Sequence, residues 1–92
     1  MYYAYVLYSL KDHRLYKGVT SDIASRFNRH NSGGNKSTAK RKPFVLLVLR
    51  SFETKSLALQ QERHWKTLAG GDALRAELCH AGLLDESGRV AD

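Results

Sequence analysis

The first twenty positions contain two runs rich in Tyr, Val and Leu, separated by three polar residues. The first run extends from Tyr2 to Leu10 and the second from Arg14 to Thr20, with a polar turn at 11–13. Tyrosine and β-branched residues favour extended strands, and a short polar break between two such runs is typical of a hairpin. We therefore predict a β-hairpin at the start of the chain.

The pattern then changes from strand to helix. Ser21 and Asp22 are residues that cap a helix start, and Ile23 and Phe27 form an apolar pair one turn apart. Gly33-Gly34 predicts the end of this helix after about three turns. After Pro43, which favours an extended backbone, the apolar run from 44 to 52 predicts a third strand. Because its centre is unbroken, we expect it to be buried on both faces as the central strand.

Two more helices are predicted in the remainder. The first covers Ser56 to Leu68, and Gly70-Gly71 is expected to end it. Asp72 then caps a last helix that reaches about Gly82, and the residues after Leu84 are expected to form a frayed tail. The first of these helices carries a stripe at helical spacing, made of Ala58, Glu62, Trp65 and Ala69.

This order, β-β-α-β-α-α, predicts an α+β fold in which helices flank a small three-stranded antiparallel sheet. We expect a single domain over residues 1–84 and a flexible C-terminal tail at 85–92. The length of 92 residues and the hydrophobic content of 42% fit one globular domain. The longest apolar run is a strand's length and no signal peptide is recognisable, so a cytoplasmic location is expected. The single Cys79 suits a reducing compartment.

Charge adds a prediction about the partner. The chain has a formal net charge of +6, and no acidic residue occurs between Ile23 and Phe52. This acid-free stretch also contains Asn, Ser, Thr and Gly residues, so it offers charge and hydrogen-bond donors to a phosphate backbone. The alternative is a solvated basic loop that keeps the protein soluble. The basic residues in the stretch are Arg26, Arg29, Lys36, Lys40, Arg41, Lys42 and Arg50.

Glu62 is an acid on an otherwise apolar helical stripe, between Ala58 and Trp65. A charge at such a position is costly unless it is paired or bound. Mg²⁺ favours carboxylate, water and substrate phosphate oxygens and needs only one or two protein carboxylates. From the residues alone, a metal ligand and a surface ion pair with Lys66 at i+4 are equal interpretations.

Arg26 and His30 lie four positions apart and therefore share one face of the first helix. The planar fork of arginine suits phosphate oxygens and the charge that develops during phosphoryl cleavage. A solvated helix arginine is the alternative. His30 is expected either to accept or relay a proton near neutral pH or to cap the helix end as a cation.

Tyr5 and Tyr16 lie eleven positions apart on the two strands of the hairpin. A free phenol is a poor base at neutral pH, but a nearby metal and Arg26 would lower its pKa, so that one tyrosine could deprotonate water while the other orients it. Strand tyrosines usually pack, which is the other interpretation. Gly18 is expected to permit close approach of a substrate or backbone, or to mark a β-bulge.

Together these residues resemble the GIY-YIG nuclease domain over nearly the whole chain, from Tyr3 to about Leu78. Tyr3-Ala4-Tyr5 stands where that family has Gly-Ile-Tyr, and Tyr16-Lys17-Gly18 stands where it has Tyr-Ile-Gly. The closest resemblance is to small stand-alone bacterial members, relatives of the nuclease module of the excision-repair enzyme and of homing endonucleases. The residues that complete the family's pattern are Arg26, the pair His30-Asn31, and Glu62.

The resemblance implies an endonuclease that hydrolyses DNA with Mg²⁺ or Mn²⁺. Glu62 would hold the metal. The catalytic residues would be Tyr5, Tyr16, Arg26, His30 and Glu62. Tyr3, Ala4 and Lys17 depart from the family pattern, and none of them occupies a position to which the family assigns chemistry. Nucleic-acid contacts are expected from Lys17, Arg29, Asn31, Lys36, Lys40, Arg41 and Lys42.

Two alternatives remain open from the sequence. One is a catalytically silent module that binds nucleic acid through the same fold, and the other is a protein-interaction domain. A domain this small is also expected to need a partner protein or self-association to choose its target.

Overall fold

A computed structural model describes residues 1–32 and 41–90 of the chain. It confirms the predicted α+β fold with the order β-β-α-β-α-α. The elements are β1 (Tyr2–Ser9), β2 (Leu15–Thr20), α1 (Ile23–Ser32), β3 (Phe44–Phe52), α2 (Lys55–Lys66) and α3 (Leu68–His80).

The three strands form one antiparallel sheet in the order β2-β1-β3. The prediction that β3 is the central strand is therefore wrong, because β1 holds that place and its residues from Ala4 to Ser9 are all buried. On β3, Leu46 and Leu49 are exposed at the sheet's edge. An apolar run indicates a strand, but hydrogen-bonded neighbours decide which strand is central, and two of the six buried residues of β1 are tyrosines.

Alternate residues of β1 pack into two separate apolar clusters, as the two-residue period of a strand requires. Val6 and Tyr8 belong to the larger cluster, which includes Trp65 of α2 and Leu74 of α3. Tyr5, Leu7 and Phe44 form the smaller cluster, against which Phe27 of α1 packs. The sheet therefore has α2 and α3 on one face and α1 on the other.

Asp22 caps α1 as predicted, since its carboxylate accepts the Ser25 N–H at 3.1 Å. The junction between α2 and α3 differs from the prediction. Thr67 both follows α2 and caps α3, accepting the Gly70 N–H on its side chain at 3.0 Å. Gly70-Gly71 thus lies inside α3, so it does not end α2, and Asp72 is not the cap. A Cβ on Gly70 would lie 1.8 Å from the His64 carbonyl oxygen, which is why glycine is needed there.

The segment after α3 folds back on the domain as far as it is described. Leu84 is buried and forms a β-bridge with Val90, which packs on the larger cluster. The Asp85 carboxylate accepts the Ser87 N–H at 2.9 Å and the Arg89 N–H at 3.1 Å. The frayed-tail prediction does not describe this arrangement, and the division into residues 1–84 and 85–92 stays a prediction. Within the described ranges, no helix is long and apolar enough to span a membrane.

Candidate active site

Tyr5 lies in the centre of the sheet, and its ring extends across β2 at Gly18. The two residues are paired in the β1–β2 register. A Cβ at position 18 would lie 2.3 Å from the Tyr5 hydroxyl oxygen, far inside van der Waals contact. Gly18 therefore makes room for the Tyr5 side chain, whereas the sequence predicted room for a substrate or backbone. The sheet's register shift lies between Val6 and Leu7 opposite β3, so the predicted bulge at Gly18 is wrong.

The Tyr5 hydroxyl meets α1 at His30. Its oxygen lies 3.2 Å from His30 Nε2, and the two rings meet edge to face with centroids 6.1 Å apart. Arg26, one turn earlier on the same helix, is close enough for its positive charge to act on the same hydroxyl. The predicted shared face of Arg26 and His30 is therefore turned toward Tyr5.

Burial dominates the pKa values of this pair. It raises the pKa of Tyr5 above 10.0, and the Glu62 charge raises it further, while Arg26 lowers it without cancelling the effect. Burial also lowers the pKa of His30 below 6.5, as do the charges of Arg26 and Arg29. A buried imidazole with a lowered pKa is neutral at neutral pH. The lowered pKa therefore disfavours the alternative that His30 caps the helix as a cation.

Glu62 reaches the site from α2. Only 16% of its side chain is exposed, and its Oε1 lies 3.1 Å from Nζ of Lys66, which is 56% exposed. The ion pair that the spacing suggested is thus present. However, it differs from an ordinary surface pair, because the carboxylate is largely enclosed and its charge acts on Tyr5.

Tyr16 shares the sheet face of Tyr5 but has a different environment. Its ring packs edge to face on Phe44 with centroids 5.4 Å apart, and its hydroxyl donates to the Asp12 carboxylate. Asp12 also pairs with Arg41, whose Nε lies 3.3 Å away. Burial raises the pKa of Tyr16, and the hydrogen bond and charge of Asp12 raise it further.

Asp12 was missed by the sequence prediction, which assigned it only to a polar turn. Its own pKa is lowered despite the opposing effect of burial, because the Tyr16 hydroxyl and the Arg14 N–H donate to its carboxylate and Arg41 is close. The one available signal was its position four residues before Tyr16 in a hairpin. A turn has no regular residue spacing, so the sequence alone does not predict that the side chains of Asp12 and Tyr16 meet.

Asn31 has a structural role in place of the predicted nucleic-acid contact. Its Nδ2 donates to the Phe44 carbonyl at 3.2 Å, and its Oδ1 accepts the Phe44 N–H at 2.6 Å. Both ends of the amide are engaged by one backbone residue. Asn31 therefore joins the end of α1 to the start of β3, and the nucleic-acid contact expected of it stays a prediction.

The predicted basic residues divide between two faces. Strand alternation places Lys17 on the opposite sheet face from Tyr16 and Gly18, beside α2 and α3. It is therefore not part of the Tyr5 site. Arg29, Arg41 and Lys42 are exposed near the ends of α1 and β3, and the predicted contacts Lys36 and Lys40 lie outside the described residues.

The donor set near Tyr5 suits a hard divalent ion that is completed by substrate. Within residues 1–32 and 41–90, no group of three or more His, Cys, Asp or Glu side chains could hold a metal. Mg²⁺ keeps several water ligands and is commonly held by one or two carboxylates plus substrate phosphates. The largely enclosed Glu62 carboxylate fits that role as a single protein ligand.

Comparison with known proteins decides the family. The family model described as the GIY-YIG catalytic domain matches residues 1–71. The chain belongs to the GIY-YIG family. This is a family of nucleases, so membership implies a nucleic acid substrate.

Among small GIY-YIG relatives, the chain is 36% identical over 75 residues to the UPF0213 protein of Staphylococcus haemolyticus, covering 80% of this chain and 90% of the relative. It is 45% identical over 67 residues to a UPF0213 protein of Bacillus pumilus, covering 72% and 67%. It is also 44% identical over 69 residues to a UPF0213 protein of Cupriavidus necator, covering 74% of each. These names state no activity. No solved structure matches the chain with comparable significance.

Proposed function

We propose that this GIY-YIG protein is a metal-dependent endonuclease that hydrolyses phosphodiester bonds of DNA. The observation that carries the proposal is the environment of one phenol, to which side chains from three elements contribute. Tyr5 of β1 is in contact with His30 of α1, and the charges of Arg26 and Glu62 act on the same phenol. Packing alone would not require an imidazole, a guanidinium and a largely enclosed carboxylate to act on one hydroxyl.

The Tyr5–His30 contact supports a proton path. When the His30 proton is on Nδ1, the Tyr5 hydroxyl donates to Nε2 across 3.2 Å. An attacking water can then give its proton to the Tyr5 oxygen as the phenolic proton passes to His30. This route avoids a free phenolate, which the raised pKa of Tyr5 disfavours. The resulting imidazolium would be stabilised by the negative charge of the phosphate under attack.

Arg26 and Glu62 have complementary roles in this proposal. The guanidinium of Arg26 would bind the non-bridging phosphate oxygens, on which charge increases as the bond to the leaving group breaks. Glu62 would hold a divalent ion, Mg²⁺ or Mn²⁺. When bound, such an ion polarises a phosphoryl oxygen and neutralises its charge.

Tyr16 is assigned to positioning in this mechanism. Its hydroxyl is bound to Asp12, and the pKa of the phenol is raised by burial and by that carboxylate. Because its proton is directed at a carboxylate and that of Tyr5 at an imidazole, we assign the role of general base to Tyr5. Its ring packs on Phe44 and so helps to fix the end of β3 beside the site.

The test compares Glu62→Gln with Glu53→Gln. Both changes remove one carboxylate charge, but Glu53 is exposed outside the helices and strands. With Mg²⁺ and plasmid or branched DNA, we expect Glu62→Gln to reduce the cleavage rate by about a hundredfold or more, because metal stabilisation of this kind amounts to several kcal/mol. Glu53→Gln should cleave like the wild type. Equal rates for wild type and Glu62→Gln would remove Glu62 from the mechanism.

The alternative is a binding module that no longer cuts, and the Glu62–Lys66 ion pair is the observation in its favour. A carboxylate already neutralised by a lysine has less need of a metal. This alternative predicts salt-sensitive DNA binding with no metal-dependent cleavage by the wild-type protein.

A further inference from the structure

A second cationic site lies on the other face of the sheet from Tyr5. A cleft of about 350 Å³ opens between β2, the end of α2 and the start of α3. Three cations from three elements converge on it, Lys17 of β2, Lys66 of α2 and Arg75 of α3, and one carboxylate, that of Asp72, also lines it. Neither the family match nor the names of the relatives assigns a role to this cleft.

The charges in the cleft repel one another within the folded protein. Lys17 is half-buried, and burial lowers its pKa, as do the charges of Arg75 and Lys66. Each of these neighbouring cations disfavours the charged form of Lys17, and a bound anion would relieve that repulsion. The start of α3 adds to the same field, because the N-terminal end of a helix is its positive end and its first turn contains no acid. The arrangement is thus suited to a multiply charged oxyanion.

Lys66 connects this cleft with the candidate active site. Its Nζ lies 3.1 Å from Oε1 of Glu62, the proposed metal ligand, while its side chain also lines the cleft. The two sites are therefore neighbours that share one lysine. The protein measures only 34 × 29 × 20 Å, so a nucleic acid strand at one site extends easily to the other.

We propose that this cleft binds a second phosphate of the same nucleic acid, on the strand that passes Glu62. The proposal rests on the proposed function, since it places the cleft beside the phosphate that is cleaved. Lys17 and Arg75 supply the contacts, and Lys66 exchanges its Glu62 partner for the phosphate when nucleic acid binds. An oxyanion could also come from free phosphate, and the experiment separates the two sources.

The main test is the salt dependence of binding for Arg75→Gln. We would measure fluorescence anisotropy of a labelled 30-base-pair duplex in EDTA, between about 50 and 200 mM salt. Loss of one phosphate contact should lower the slope of log K against log salt by about 1 and weaken binding at every salt concentration. Arg63→Gln is the matched control, since Arg63 is exposed on α2 and is not part of the cleft. Its slope should equal that of the wild type.

Lys17→Met provides an independent variant, because methionine keeps the apolar stem in the cleft, which Trp65 also lines, and removes the charge. It should lower the slope as Arg75→Gln does. Wild-type slopes in both variants would overturn the proposal. A titration with inorganic phosphate alone, followed by the amide resonances of Gly70 and Gly71, identifies the other source. If free phosphate moves these resonances while both slopes stay at the wild-type value, the cleft takes a small anion and the backbone-phosphate proposal is wrong.

The outcome is separable from that of the proposed function. Lowered slopes without any metal-dependent cleavage would support the phosphate-binding role of the cleft and contradict the proposed nuclease activity. Glu62-dependent cleavage with unchanged slopes would support the proposed nuclease activity and contradict the phosphate-binding role of the cleft.

Discussion

Tyr5 and Tyr16 carry the same phenol on the same sheet face, but their partners differ. Tyr5 meets an imidazole and a guanidinium, whereas Tyr16 donates to a carboxylate. A neutral imidazole can take a proton and so helps a phenol to act as a base, while a carboxylate beside a phenol disfavours its ionisation. The two tyrosines of the family motif therefore have different chemical environments in this protein.

Replacing Tyr5 by Phe tests that difference. The ring is kept and only the hydroxyl is lost, so the fold should survive while the proton path is broken. We expect the cleavage rate to fall by about a hundredfold to ten-thousandfold, the usual contribution of a general base. Single-turnover cleavage of a labelled duplex with Mg²⁺ measures the effect.

Tyr8→Phe is the matched control for that change. Tyr8 is also a buried tyrosine of β1 and is hydrogen-bonded to a histidine, His13, but it lies on the other face of the sheet. Its variant should cleave at about the wild-type rate. Equal losses in the two variants would show that the rate reports the folding of β1 and not the chemistry of Tyr5.

At the scale of elements, the candidate active site depends on how α1 is held against the sheet. Arg26 and His30 both lie on α1, and the Asn31 amide ties the last turn of this helix to the backbone of Phe44. Phe44 in turn packs against the His30 ring, with centroids 5.7 Å apart. The helix end, the strand start and the imidazole therefore form one packed unit.

Asn31→Ala should weaken that unit. The Phe44 N–H would lose its partner, and a buried unpaired donor costs about 1–3 kcal/mol. We expect the free energy of unfolding, measured in urea, to fall by about that amount. Asn28→Ala, an exposed position on the same helix, should have a much smaller effect. If the two variants were equally stable, the hydrogen bonds between the Asn31 side chain and the Phe44 backbone would make no net contribution to the free energy of unfolding.

Local patterns of the sequence identified all six elements because the periods of strand and helix are local properties. The predictions from local patterns failed where contacts with other parts of the fold determine the structure. Thr67 rather than Gly70-Gly71 separates α2 from α3, because a glycine pair marks a helix end in isolation but here permits the close approach of His64. The position of β3 at the edge of the sheet likewise depends on which strands pair, and the sequence of one strand does not determine that.

The same limit applies to the candidate site at the scale of the whole molecule. The family resemblance selected Tyr5, Arg26, His30 and Glu62; the Tyr5 hydroxyl lies 3.2 Å from His30, and the charges of Arg26 and Glu62 act on it. It could not show that Asn31 is used by Phe44, that Lys17 faces the other side, or that Asp12 engages Tyr16. Each of these facts depends on a contact between residues from different parts of the fold, and such contacts do not follow the regular spacing of a helix or a strand.

His30 also makes the stability of the whole fold depend on pH. Its pKa is below the ordinary value of 6.5 because of burial and of Arg26 and Arg29. As the pH falls through about 6.5, the unfolded chain takes up a proton at this imidazole before the folded protein does. The unfolded state then binds more protons, so the free energy of unfolding falls until the folded imidazole is also protonated.

Urea unfolding at pH 7.5 and 5.5 measures this loss directly. The wild type should be less stable at the lower pH, and His30→Gln should show a smaller difference between the two values. His80→Gln, an exposed histidine on α3, should keep the wild-type difference. An unchanged difference in His30→Gln would assign the pH dependence to another group.

The Asn31–Phe44 clamp has a practical consequence for engineering. It fixes the two chain ends on either side of positions 33–40, so the spacing of those ends does not depend on what connects them. Lengthening a connection between fixed ends costs only about 0.6 kcal/mol for each doubling. A targeting peptide grafted at these positions is therefore expected to be attached next to the proposed catalytic centre, in place of the predicted contacts Lys36 and Lys40.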